Sequence, residues 1–157
     1  MNHLIKIGID PSGTGTSAIV VYEDNKLIDK MEYIHYDWIK QTDNILYKLI
    51  QDAIINIEDC LYTSANPSKD RDDLLKVIGT VKYNTEKVRN IINWVSPKHT
   101  KSIVKNMENL SKYNDSCIWK FDKDNNLTYQ YGKGWFYNNE KISHHLRDAI
   151  IIANYKG

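Results

Sequence analysis

The sequence predicts an α/β protein built on a mixed sheet, and three observations carry that expectation. Three strand-like runs follow one another at the N-terminus with turn residues between them. A helix-periodic segment then separates this block from an almost wholly apolar run, 53–57 (AIINI), which suits a strand covered on both faces. Helix and strand alternate from there to about Val95, the signature of parallel pairing. A five-stranded sheet of three antiparallel and two parallel strands, flanked by helices, is the economical reading.

In chain order, the first strands span His3 to Asp10, Thr16 to Tyr22 and Lys26 to His35, with Glu23, Asp24 and Asn25 as the hairpin turn between the last two. Asp37 is an N-cap for a helix reaching about Asp52, whose apolar side carries Trp38, Ile39, Ile45, Leu46, Leu49 and Ile50. The apolar strand after it delivers Glu58 at its end. A polar loop from Thr63 to Lys69 leads to a long helix from about Asp70 to Asn90, in which Gly79 permits close approach of a neighbouring element. Ile91 to Val95 is a strand, stopped by Ser96 and Pro97, and Lys98 to Asn109 a short basic helix. Cys117 to Phe121 and Leu127 to Tyr131 form an inserted β-hairpin around the polar turn 122–126, and a last helix covers about Glu140 to Tyr155. There is no internal repeat or long linker, so the 157 residues are expected to form one domain.

The bulk numbers narrow the function classes. A hydrophobic fraction of 41% supports a normal core, and a net charge of +1 announces no polyanion partner, so charge placement decides that question instead. Cys60 and Cys117 lie far apart with no metal-ligand spacing, which excludes a zinc motif and a disulfide framework and casts both as small core residues in a reducing compartment. No apolar stretch is long enough to span a bilayer, and no signal-peptide pattern opens the chain, so a cytoplasmic protein without membrane partners is expected.

The informative residues are acids at the ends of apolar segments. Asp10 closes the strand 4–9 (LIKIGI) and opens the turn 11–17 (PSGTGTS); Glu58 closes the apolar fourth strand; Asp148 lies on the apolar C-terminal helix. A carboxylate at the edge of a core costs several kcal/mol without a compensating partner, and a divalent cation is a common one. Plainer readings stand beside this. Asp10 could serve turn geometry alone, Glu58 and Asp59 could be a solvated strand end, and His144, His145 and Asp148 an ordinary polar helix face with Arg147 pairing Glu140 or water. A phosphate-cradling ATPase loop at Gly13 and Gly15 is disfavoured by length, since that fold uses two such domains.

Four segments, IGIDPSGTGTS (7–17), INIED (55–59), WVSPKHTKSIVK (94–105) and HHLRDAIIIA (144–153), occur in the order and spacing that resemble the RuvC family of Holliday-junction resolvases, particularly its small bacteriophage members such as the lactococcal ones. The resemblance covers nearly the whole chain and implies a ribonuclease H-like fold. Residue by residue it places the family's first acid on Asp10 and its glutamate on Glu58, with the paired ligands of the last helix on His145 and Asp148. Two departures stand out: His145 occupies a position that is often aspartate, which lowers the negative charge by one, and Leu61 with Tyr62 adjacent replaces an aromatic residue near the junction crossover.

By that resemblance, Asp10, Glu58, His145 and Asp148 would be catalytic and would hold two Mg²⁺ ions, with Mn²⁺ as a substitute. Lys101, with Lys98, Lys105 and Lys133 as companions and Tyr62 near the crossover, would contact DNA. The partner would be a four-way junction or other branched DNA, and the working form a homodimer joined through the helix beginning near Asp70, one site per strand. In a phage the place of action would be the host cytoplasm. A less selective branched-DNA or flap nuclease, and a non-catalytic junction-binding module of the same fold, remain as alternatives. The aromatic stretch from Trp119 to Tyr137 could stack on bases, but packing against its own domain is the preferred reading for most of it.

Overall fold

The strand alternation separates two cores. In the computed structural model, which describes residues 3–50, 52–60, 69–88, 90–119 and 127–156, β1 (Ile5–Asp10), β2 (Thr16–Glu23), β3 (Lys26–Ile34), β4 (Ile54–Glu58) and β5 (Ile91–Val95) form one sheet in the order β3-β2-β1-β4-β5. The first three strands are antiparallel neighbours, and β4 runs parallel to both β1 and β5, as expected. The β2–β3 turn uses Asp24 and Asn25 at φ 52° and 68°, a left-handed pair suited to the twist of a two-residue hairpin.

Odd positions of β1 face one layer. Ile7 and Ile9 pack with Ile55 and Ile57 of β4, Ile45 of α1 (Trp38–Lys48) and Val77 and Val81 of α2 (Lys69–Glu86). The even positions, Gly8 and Asp10, are left for the opposite face, where α4 (His144–Ala153) lies on β1 and β2. That second core joins Ala18, Val20 and Tyr22 to Ala149, Ile150 and Ala153 of α4 and to Met107 of α3 (Pro97–Asn114).

Several boundaries differ from the sequence expectation. Asp37 does cap α1, accepting from Ile39 N–H at 3.0 Å, but the helix ends at Lys48 rather than near Asp52. Leu49 turns extended because Ala53, 1% exposed, must enter the sheet, held there by its N–H to Asn90 Oδ1 at 3.0 Å. α3 starts one residue before the expected Lys98, with Ser96, expected only to end the strand, as its cap and Pro97 in the first turn; it continues to Asn114 and ends at a left-handed Asp115. The extra turn buries Ser111.

The expected hairpin is half of a larger unit: β6 (Ser116–Trp119), β7 (Leu127–Gln130), β8 (Gly134–Tyr137) and β9 (Glu140–Lys141) make a four-stranded antiparallel sheet. Glu140 therefore lies in a strand, after a left-handed Asn138–Asn139 turn, and α4 begins only at His144, where Ser143 Oγ accepts from Leu146 N–H at 3.1 Å. Trp119, Trp135 and Tyr137 are buried in the α4-side core, so packing does account for most of the described aromatics; Tyr131 is half exposed, and Phe121 lies outside the described residues. Cys60 and Cys117 are half-buried, Cys117 packed against the α4-side core and Cys60 lining a hollow beside Asp10 instead, and neither is in a disulfide. Gly79 is not approached by any described part of the chain, contrary to expectation: a Cβ there would meet nothing within 4 Å. Among the described residues no helix is long and apolar enough to cross a membrane.

Candidate active site

Parallel neighbours end together, and this places two acids side by side. Ile9 of β1 is in register with Ile57 of β4, so Asp10 and Glu58 are the next residues on adjacent strands and share the face that α4 covers. Gly8 lets α4 come down on that face: a Cβ at Gly8 would lie 2.3 Å from the Ala149 carbonyl oxygen and 2.5 Å from Ala153 Cβ. The helix is fastened at its far end by Asn56, the register partner of Gly8, whose buried Nδ2 donates to the carbonyls of Ile152 and Ala153 at 3.0 Å each. Asn93 in turn donates to Asn56 Oδ1 at 2.9 Å. Asp148 and His145, three residues apart on α4, are thereby carried over the ends of β1 and β4.

His145 Nδ1 is 3.5 Å from Asp10 Oδ2, with side chains 49% and 16% exposed respectively. Burial pushes the Asp10 carboxyl above its usual range and Asp148 adds to this, while the contact with His145 opposes it. The same contact with Asp10 raises His145. Glu58 is shifted furthest, from 4.5 to about 8, first by burial and then by the negative charges of Asp10 and Asp148, with Lys101 and Arg147 offsetting part of it. Its Oε2 is buried and has no hydrogen-bond partner among the described residues, as is also true of the nearby Thr100 hydroxyl.

Two hollows meet at Asp148. One, of about 210 Å³, is lined by Glu58, Thr100, Lys101, Lys105 and Arg147. The other, of about 780 Å³, is bounded by Asp10, the 11–16 turn, Arg71 and His145. The turn is held by side chains: Ser12 Oγ accepts from Gly15 N–H at 2.8 Å, Ser12 N–H donates to Ser17 Oγ at 2.9 Å, and Ser17 Oγ–H donates to Gln41 Oε1 at 2.6 Å. Thr14 also hydrogen-bonds Asp70 on α2.

The donor set fits a hard divalent cation: three carboxylates, Asp10, Glu58 and Asp148, with the His145 imidazole beside them, and one carboxylate oxygen buried and without a described partner. The three acids are not drawn into a closed cage. Among the described residues, the trio with ligand atoms within 4.8 Å of one another is His3, Glu23 and Asp24, an exposed cluster at the opposite end of β1 that fastens the β2–β3 turn, with Asp24 Oδ1 accepting from Leu4 N–H.

The structure thus brings Asp10, Glu58, His145 and Asp148 together, with Lys101 and Lys105 beside them and Lys98 on the same face of α3. Lys112 continues that row of exposed lysines and was missed in the sequence, although its spacing was available there. Lys133 does not join the site. Its turn is held at the C-terminal end of α3 by the Tyr131 N–H to Asp115 carbonyl bond, roughly 20 Å along the helix from Lys101 at 1.5 Å per residue. Tyr62 and Leu61 lie outside the described residues. Arg147 pairs with Asp148 at 2.8 Å and not with Glu140, which is 3.9 Å from Lys30 instead.

The strand order and the covering helices are those of a ribonuclease H-like fold. Two solved structures carry the likeness: Thermus thermophilus RuvC in complex with a Holliday junction substrate, at TM-score 0.54 and 12% identity over 97% of this chain and 91% of that one, and Thermus thermophilus RuvC, at TM-score 0.51 and 11% identity over 96% and 92%. No protein-family model and no curated protein sequence matches the chain.

Proposed function

We propose that this chain is a divalent-cation-dependent endodeoxyribonuclease that resolves four-way DNA junctions and other branched DNA as a homodimer. The observation that carries the reading is the convergence of Asp10, Glu58 and Asp148 at one end of the sheet, with Glu58 Oε2 buried and lacking a described hydrogen-bond partner. Such an arrangement is costly to fold and serves no packing role among the described residues. The likeness to a RuvC bound to junction DNA supports the substrate class.

Asp10, Glu58 and Asp148 would hold two Mg²⁺ ions, or Mn²⁺ in their place, supplying a deprotonated water and positive charge against the developing charge on the phosphate. Around that centre the chain's own groups bind and orient. The lysine row on α3, Lys98, Lys101, Lys105 and Lys112, tracks a phosphate backbone by charge, giving sequence-independent and salt-sensitive affinity. His145, half exposed and touching Asp10 through Nδ1, is placed to ligate or to move a proton at Nε2. The pinned 11–17 turn forms the wall of the larger hollow and keeps Asp10 in place as a strand enters. Leu75, Gly79 and Tyr83 lie at i, i+4 and i+8 on the exposed side of α2, where Gly79 offers a second copy a close approach.

A labelled four-way junction incubated with Mg²⁺ and, in parallel, with Ca²⁺ tests the proposal on a denaturing gel. Paired symmetric nicks in Mg²⁺, with intact bound junction in Ca²⁺, support it. Binding without nicks under both overturns the enzymatic part, and equal cutting of flap and fork substrates run alongside favours the less selective branched-DNA nuclease over a junction resolvase.

A further inference from the structure

Sequential residues on a helix point about 100° apart and do not ordinarily face each other. Arg147 and its neighbour Asp148 do meet. The guanidinium folds back so that Nε and Nη2 each lie 2.8 Å from Asp148 Oδ1. It is seated on the ring of Trp135, 5.0 Å from the ring centroid, and its side chain is only 12% exposed against 23% for Asp148. Trp135 is itself 2% exposed and belongs to β8. Both donors fall on the same oxygen, which leaves Oδ2 outside the fork. An exposed ion pair between flexible chains contributes little, but a stacked and largely buried guanidinium has lost its freedom already and can hold a carboxylate in one rotamer.

We propose that Arg147 is a positioning residue for Asp148: seated on Trp135, it fixes the carboxylate through Oδ1 and presents Oδ2 to the cation. The inference rests on the divalent-cation reading above. It also gives the β6–β9 sheet a task in the site, because the platform under the guanidinium comes from that sheet. Arg147 faces Glu58 and Asp10 as well, and its charge offsets their mutual repulsion when no cation is bound.

The sign of the effect separates positioning from charge alone. A cation beside a metal site repels the metal, so removing Arg147 for electrostatic reasons would tighten metal binding; removing a positioning group loosens it. Partners that orient ligands typically change metal affinity 10- to 100-fold. Calorimetric titration of the metal-free protein with Mn²⁺ is therefore expected to show about tenfold weaker binding for Arg147→Met, which keeps much of the apolar stem. Arg147→Lys, which keeps the charge but lacks the planar fork, should remain weakened. Tighter or unchanged binding in Arg147→Met overturns the inference, as does full recovery in Arg147→Lys. If wild type itself binds no Mn²⁺, the divalent-cation reading fails and takes this inference with it, an outcome distinct from the others. Should Arg147→Met not fold, wild type alone suffices: the chain has three arginines, Arg71, Arg89 and Arg147, and the Nε–H resonance of Arg147 should be protected from exchange and shift on Ca²⁺ titration. A rapidly exchanging or unmoved resonance overturns the proposal.

Discussion

Replacing Glu58 by glutamine should make the metal-free protein more stable, and the size of the gain follows from the site. Glu58 is driven from 4.5 to about 8 by burial and by Asp10 and Asp148. In the folded state it therefore holds its proton to higher pH than in the unfolded chain, and stability is greatest below 4.5 and falls as pH rises toward 8. At 1.36 kcal/mol per pKa unit the shift corresponds to an upper bound of about 4 kcal/mol at pH 8. Roughly half of this survives solvent screening of a partly exposed carboxylate, leaving about 2 kcal/mol. Glu58→Gln keeps the shape and removes the charge, so its melting temperature in EDTA at pH 8 should exceed that of wild type by roughly 4–8 °C. At pH 5 the difference should shrink to about 0.5 kcal/mol, because wild-type Glu58 is then still protonated in the fold and the pH lies only half a unit above the unfolded value of 4.5. Differential scanning calorimetry at the two pH values measures both quantities. A variant no more stable than wild type at pH 8, or an equal gain at pH 5, would refute the reasoning that burial and like charge dominate at this position.

Three further outcomes are expected. Asp10→Asn and Asp148→Asn should each abolish Mg²⁺-dependent junction cleavage while junction binding, followed by gel shift, survives; wild-type-like cutting by either would remove the proposed site. Gly8→Ala should cost about 3 kcal/mol or more in urea denaturation, since its Cβ would press on the Ala149 carbonyl at 2.3 Å and backbone cannot give way as a side-chain tip can. Lys101→Ala combined with Lys105→Ala should weaken junction binding without changing sequence preference and reduce the slope of log K against log salt by about 2, read by fluorescence anisotropy across a salt series.

Sequence and structure agree most closely where one local rule governs. The three-antiparallel, two-parallel sheet was legible because strand alternation and turn residues act over short distances, and the cap at Asp37 stands where its side chain belongs. Asp10, Glu58 and Asp148 could be picked out because each closes or interrupts an apolar run. What stayed hidden depends on docking. Arg147 reaches back to its immediate neighbour only because Trp135, brought from another sheet, lies beneath it, and no helical spacing rule announces that contact. Lys133, expected as a companion of Lys101, stands apart from the acids because the Tyr131–Asp115 bond fixes its turn at the C-terminal end of α3. Other signals were present and under-read: Gly8 inside an apolar strand marks a close approach, and Asn138–Asn139 is chemistry suited to a left-handed two-residue hairpin turn.

The hook made by Asn56 bears on when the site comes into being. Asp10 and Asp148 are separated by about 140 positions, and only the seating of α4 on β1, secured by Asn56 against Ile152 and Ala153, brings them to one place. Contacts of such long separation form late, after shorter loops have closed. A chain emerging from the ribosome would carry its first acid long before its last, and any conformer with the final helix detached would be inert toward DNA. Under the function proposed above, that timing would tie cutting power to completion of the fold, so that incompletely folded molecules would leave the nucleic acid around them intact.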